Sequence, residues 1–176
     1  MKRAFFLALA GMIVMALPLY AAEKEHGGKE HAGEEHAGKP AKEFTADEIK
    51  AAITAYVEGR QKEGKGIFKM IDKDDGNKTL PLKFVKIHDP VRKIEEKGQY
   101  FACSDFQAAD SPEEKLYDLD FWLKPEGDKL VVIEERVHKD PQKEGGKWVK
   151  KERYTFNEKS EIVWLRKPGS KQATGQ

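Results

Sequence analysis

The chain has 176 residues, of which 39% are hydrophobic and 36% charged. That is room for one domain with tails, and too apolar for a wholly disordered chain. Its 32 basic residues nearly cancel 31 acidic ones, which removes the broad basic field that nucleic acid calls for, and its single cysteine is read as excluding a disulfide framework and any Cys-based zinc site.

Met1-Lys2-Arg3 is basic, and residues 4–19 carry no charge and are mainly apolar. The small residues Ala21 and Ala22 follow. This pattern predicts a secretory signal peptide over residues 1–22, cut after Ala21 or Ala22. The apolar run is short for a span and holds Pro18, so attachment to a membrane would require an uncleaved leader. The expected location is the periplasm or the outside of the cell. Losing Lys2 and Arg3 turns the net charge from +1 to −1. One thiol suits an oxidising compartment, and nucleic acid is not an expected partner.

Residues 23–43 hold three pentads, beginning Glu25-His26, Glu30-His31 and Glu35-His36, each with glycine. No large apolar side chain interrupts them, so a disordered arm is predicted. On a helix, a spacing of five would set successive histidines about 140° apart. A flexible backbone lets the rings converge, and imidazole is a common ligand of zinc, nickel and copper. His26, His31 and His36 are therefore the expected metal ligands, with no cofactor required. The competing expectation is a solvated spacer.

The folded domain is expected over residues 44–165. Thr45 and Glu48 form a capping box, with Phe44 and Ile49 as a hydrophobic staple. Ile49, Ala52, Ile53, Tyr56 and Val57 then share one helical stripe, ending between Gly59 and Gly64. Beyond Gly66 the pattern alternates and predicts strands. The first is Ile67–Ile71, followed by an acidic turn that misses the calcium-loop spacing, with Lys83 where the last ligand belongs. The second is Thr79–Asp89, where a bulge at Phe84-Val85 would keep Leu80, Leu82, Phe84, Val85 and Ile87 on one side. Gln99–Phe106 and Leu116–Leu123 follow. In the latter, Tyr117, Leu119, Phe121 and Leu123 oppose Asp118, Asp120 and Trp122, which predicts one covered face and one open to solvent. Lys129–His138, with Val131, Ile133 and Val137 on one parity, Trp148–Phe156 and a short Ile162–Leu165 complete the set. Residues 166–176 read as a loose tail.

One helix followed by about six hairpin-linked strands predicts an α+β fold: a helix packed on a curved antiparallel meander. This order of elements over residues 44–165 resembles cystatin-like and nuclear-transport-factor-like folds. The resemblance implies a helix lying in a curved sheet, an architecture that hosts enzymes, inhibitors and ligand carriers alike.

Several residues carry candidate chemistry. His88-Asp89-Pro90 and His138-Lys139-Asp140-Pro141 each read as a strand end before a turn. In a meander those ends lie at opposite edges of the sheet, so no joint histidine site is expected. Asp105 and Glu135, with Cys103 beside Asp105, share parity with core residues and could line one pocket as an acid–base pair. Asp118, Asp120 and Trp122 on the open face could anchor a protein partner. No phosphate loop, zinc-protease helix or serine elbow occurs. The leading expectation is an exported binding or accessory protein without catalysis, capturing a divalent metal on the arm. The alternatives are a small-ligand or acid–base pocket, and a partner-binding module around Trp122.

Overall fold

The computed structural model describes residues 42–166. The predicted leader, the arm with His26, His31 and His36, and the tail beyond 166 lie outside them. Helix α1 spans Ala46–Glu63. Glu48 N–H donates to Thr45 Oγ1 at 3.2 Å, and Thr45 N–H donates to Glu48 Oε2 at 2.8 Å, so the capping box forms. Ile49, Ile53 and Val57 are its buried stripe. Gly64 stops it: its N–H donates to the Arg60 carbonyl at 2.9 Å. A Cβ at Gly64 would lie 1.9 Å from the Ile67 carbonyl oxygen, so the chain can reverse there only at glycine.

The strands are β1 (Phe68–Asp72), β2 (Lys78–Ile87), β3 (Arg92–Ile94), β4 (Gln99–Ala108), β5 (Leu116–Glu126), β6 (Lys129–Glu144), β7 (Lys147–Glu152), β8 (Tyr154–Phe156) and β9 (Ile162–Trp164). The main sheet runs β1-β2-β4-β5-β6-β7, with β3 also on β4, and every pair is antiparallel. The chain is α+β, with one helix among the described residues against a curled antiparallel sheet. The α1 stripe meets Phe68, Met70, Leu82, Phe106, Leu119, Phe121, Leu123 and Val137 in one core. Each such side chain contributes about 1.5–3 kcal/mol by leaving water.

Three bulges shape the sheet. Val85, Ile133 and His138 are each the extra residue where the register slips. A bulge adds one residue and re-aims the side chains around it. Leu80, Leu82, Phe84 and Ile87 reach the core, as expected, but Val85 is 50% exposed. The bulge at Ile133 likewise overturns the predicted parity of β6: Val137 is in the core, Val132 and Leu130 pack against it, and Ile133 is 43% exposed. A single-parity reading cannot survive a bulge, because one inserted residue exchanges the two faces.

The expectation of one open sheet face is also corrected. The predicted strand 148–156 breaks at Arg153, and β8 leaves the main sheet to pair with β9. Arg153 fixes this departure. Its guanidinium bridges Asp72 at 2.8 Å and Asp140 at 2.8 Å, and Arg166 holds the other Asp140 oxygen at 2.7 Å. Tyr154 and Phe156 then lie with Phe101, Trp122, Ile94 and Ile162 in a second apolar cluster. The main sheet is thus covered on both faces through its centre. We call the α1 side the inner face and the β8–β9 side the outer face.

Candidate metal centre

The outer face brings together side chains from β4, β5 and β6. Cys103 lies opposite Asp120, which lies opposite Arg136; Asp105 lies opposite Asp118, which lies opposite Lys139. Directly paired residues on neighbouring strands share a face, so these side chains form two adjacent rows. The extra residue of the bulge, His138, joins them. Cys103 Sγ, His138 and one oxygen each of Asp118 and Asp120 lie within 4.8 Å of one another.

Burial makes this group unusual. Asp118 is 3% exposed and Asp120 is fully buried. Asp118 Oδ1 has no hydrogen-bond partner in the protein, and Asp120 Oδ1 and His138 Nδ1 have only each other, 3.5 Å apart, an ion pair when the imidazole is protonated. An orphan such as Asp118 Oδ1 costs about 1–3 kcal/mol, and buried polar groups are otherwise almost always paired. An unpartnered carboxylate oxygen beside a buried carboxylate–imidazole pair is a set that a proton or a cation could satisfy.

The other polar atoms of Asp120 and His138 are held by Tyr154. Tyr154 OH donates to Asp120 Oδ2 at 2.8 Å. His138 Nε2 lies 3.1 Å from the Tyr154 carbonyl oxygen. A carbonyl only accepts, so Nε2 carries the proton and, in the neutral ring, Nδ1 keeps its lone pair. The Tyr154 ring stacks on the imidazole at 4.8 Å. One tyrosine therefore orients two donors, as the surroundings of metal ligands commonly do.

The electrostatics agree. Burial pushes the Asp118 carboxyl up, and the neighbouring Asp120 carboxylate pushes it further. Burial alone would lower His138, but Asp120 and Asp118 outweigh it and hold the imidazole above its ordinary value. Burial, then Asp120, pushes the Cys103 thiol up. The two carboxylates therefore call for a positive charge at this point, whether a proton or a metal.

A second group, His88, Asp105 and Asp118, adjoins the first through Asp118. Here the protein satisfies itself. Asp105 Oδ2 is 3.0 Å from His88 Nε2, and Asp105 Oδ1 accepts from the Lys150 ammonium. Burial pushes Asp105 up, but those two partners outweigh it and hold it below the ordinary carboxylate range.

This arrangement corrects three expectations. His88 and His138 do not lie at opposite edges, because β6 runs on through Asp140-Pro141 to Glu144 and leaves His138 in mid-strand. Asp105 and Cys103 do not share a pocket with Glu135. Ala102 and Phe106 take the inner face, Phe101 and Cys103 the outer one, while Glu135 accepts from Tyr56 OH at 2.8 Å on the α1 side. Asp118, Asp120 and Trp122 share a face as expected, but all three are buried, Trp122 packing with Tyr154, Phe156 and Ile162 of the β8–β9 layer.

A separate cleft of about 510 Å³ draws on both faces of the sheet: Tyr56, Arg60 and Glu135 come from the inner side and Arg136 from the outer, with Ile71 and Asp74 among the other lining residues. Its charged groups are internally paired: Arg60 reaches Glu135 at 3.4 Å, and Arg136 binds both Asp74 oxygens at 2.9 Å. Asp118 and Asp120 were legible as an alternating pair, whereas His138 was legible only if Asp140-Pro141 could be read as strand. Tyr154 was hidden because nothing local marks where a strand changes sheets. Comparison with protein-family models, with curated proteins and with solved structures finds no match.

Proposed function

We propose that the protein is an exported binding protein for a divalent transition metal, acting as a carrier or accessory and without catalysis of its own. Asp118, Asp120 and His138 hold the cation inside the domain, and the arm histidines His26, His31 and His36 collect it from solution. The observation that carries this reading is the buried cluster itself: an unpartnered Asp118 oxygen beside the Asp120–His138 pair, with Cys103 in reach. Metal ligands must give up protons or solvent to bind, and a pre-positioned buried set lowers the ordering cost that the glycine-rich composition of the arm predicts for its histidines. The arm therefore binds more weakly than the domain and exchanges faster.

The test is native mass spectrometry of the leader-free chain after exposure to zinc, beside H26A/H31A/H36A and D120N. The triple variant is expected to keep the tightly held ion and to lose only weaker ones. D120N is expected to lose the tight ion. Equal retention by D120N and the parent chain would contradict the reading. The cleft at Tyr56, Arg60 and Glu135 supports a second reading, a small-ligand site; E135Q should then alter retention of a co-purifying organic molecule without changing bound zinc.

A further inference from the structure

We infer that Cys103 is the fourth ligand, as a thiolate, and that the site takes a zinc-class cation in a closed four-coordinate shell rather than magnesium, calcium or manganese. The inference rests on the reading of the domain as metal-binding and names the class of metal. A chain with one cysteine cannot build a site from cysteines alone, but the expectation that one cysteine excludes any Cys-based zinc site is too broad. A mixed set needs only one sulfur.

Four observations support the assignment. Cys103 lies directly opposite Asp120 in the register. Its sulfur is within 4.8 Å of the three other donor atoms. Two of those donors belong to carboxylates at least nine-tenths buried, and the Asp118 oxygen is unpartnered. The spacing also suits a small ion. Bond lengths of about 2.0–2.3 Å to zinc in a tetrahedron set donors about 3.3–3.6 Å apart. His138 Nδ1 and Asp120 Oδ1 are already 3.5 Å apart. The wider separations need to close by about 1 Å, which side-chain rotation supplies.

The donor chemistry then selects the metal. Sulfur, imidazole nitrogen and two carboxylate oxygens suit zinc and cobalt(II), whereas calcium wants six to eight oxygens and magnesium an octahedron that keeps several waters. On binding, the S–H bond breaks as the S–metal bond forms, and the proton leaves to solvent. Any proton held on His138 Nδ1 or shared with Asp118 in the metal-free site leaves to solvent in the same way, so that the Nδ1 lone pair and the carboxylate oxygens are free to bind the ion. One thiolate and two carboxylates around a divalent ion leave a charge of −1; Lys139, opposite Asp118 in the register, is the adjacent basic residue, its ammonium 3.0 Å from Glu152. With no position left for water or substrate, the shell is that of a carrier or structural ion, not of a Lewis-acid catalyst.

The probe is cobalt(II), titrated into the full leader-free chain with His26, His31 and His36 replaced by alanine, so that only the domain reports. The expected result is a near-ultraviolet thiolate-to-metal band and intense visible bands of tetrahedral cobalt, saturating together. Adding C103S should remove the near-ultraviolet band and weaken binding by at least about tenfold. Manganese in about a hundredfold excess should not compete. In the chain with native Cys103, stoichiometric zinc should protect the thiol from a maleimide, a readout that survives if C103S fails to fold. Cobalt bound with only weak octahedral bands, and a thiol alkylated equally fast with and without zinc, would overturn the inference and leave the metal reading standing. No cobalt or zinc bound at all would overturn both.

Discussion

The two faces of the sheet are built from the same strands, yet they are used differently. On the inner face, Leu119, Phe121 and Leu123 of β5 meet the apolar stripe of α1. On the outer face, Asp118 and Asp120 of the same strand are equally buried, but Asp118 keeps an unpartnered oxygen and Asp120 Oδ1 has only the His138 imidazole. Equal burial therefore has opposite energetic signs across one strand. The inner residues stabilise the fold, and the outer carboxylates cost stability that, on the function proposed, a bound cation would return. Proteins commonly carry such local costs where they act.

The sharpest way to break this comparison is to damage the inner face. F121A should destabilise the domain by about 3–5 kcal/mol, read as a lower denaturant midpoint, with the same cost in the presence or absence of zinc. If zinc rescued F121A more than the parent chain, the two faces would not be independent. Next comes the latch of the outer layer. R153A leaves Asp72 buried without its cation, and breaking such a pair costs about 3 kcal/mol or more. Because Arg153 also fixes where β8 departs, R153A should weaken zinc binding through Tyr154, whereas F121A should not.

The outer face should respond in the opposite sense. D118N removes a buried carboxylate whose pKa is raised by burial and by Asp120. A carboxyl raised in the folded state loses stability as pH rises above its unfolded value of about 3.9. At neutral pH and without metal, D118N should therefore gain on the order of 1 kcal/mol, a gain that vanishes as pH falls below about 4. Zinc-dependent stabilisation should be lost in the same variant. A D118N protein less stable than its parent at neutral pH without metal would show that Asp118 is structural. The smallest effect lies on the inner side. Burial, then Glu135, pushes the Tyr56 phenol up to about 12. Its ultraviolet titration should sit near that value, and folded stability should fall as pH rises from about 10 to about 12.

Much of the fold was legible. The capping box at Thr45 and Glu48, the helical stripe and the alternation in β5 are local patterns, and local patterns read directly from sequence. What escaped reading was non-local. The outer cover consists of two three-residue strands, too short to announce a second layer, so an alternating Asp118, Asp120 and Trp122 read as a face open to solvent. In β4, Tyr100, Ala102 and Phe106 compete with Phe101 and Cys103 for the inner side, and only the presence of a second apolar layer resolves the tie. The bulge at His138 has no sequence mark, yet it supplies the nitrogen donor of the site. The candidate chemistry was thus visible as residue types, while its assembly depended on a register slip and a sheet change.

The most direct test of the central claim is the unfolding midpoint of the leader-free chain lacking the arm histidines, measured with zinc and with chelator. The account predicts a clear upward shift with zinc, since a ligand that binds only the folded state stabilises it in proportion to the logarithm of its excess over Kd. It also predicts that D120N shows no shift. Identical midpoints with zinc and chelator in the parent chain, or the same shift in D120N, would contradict it.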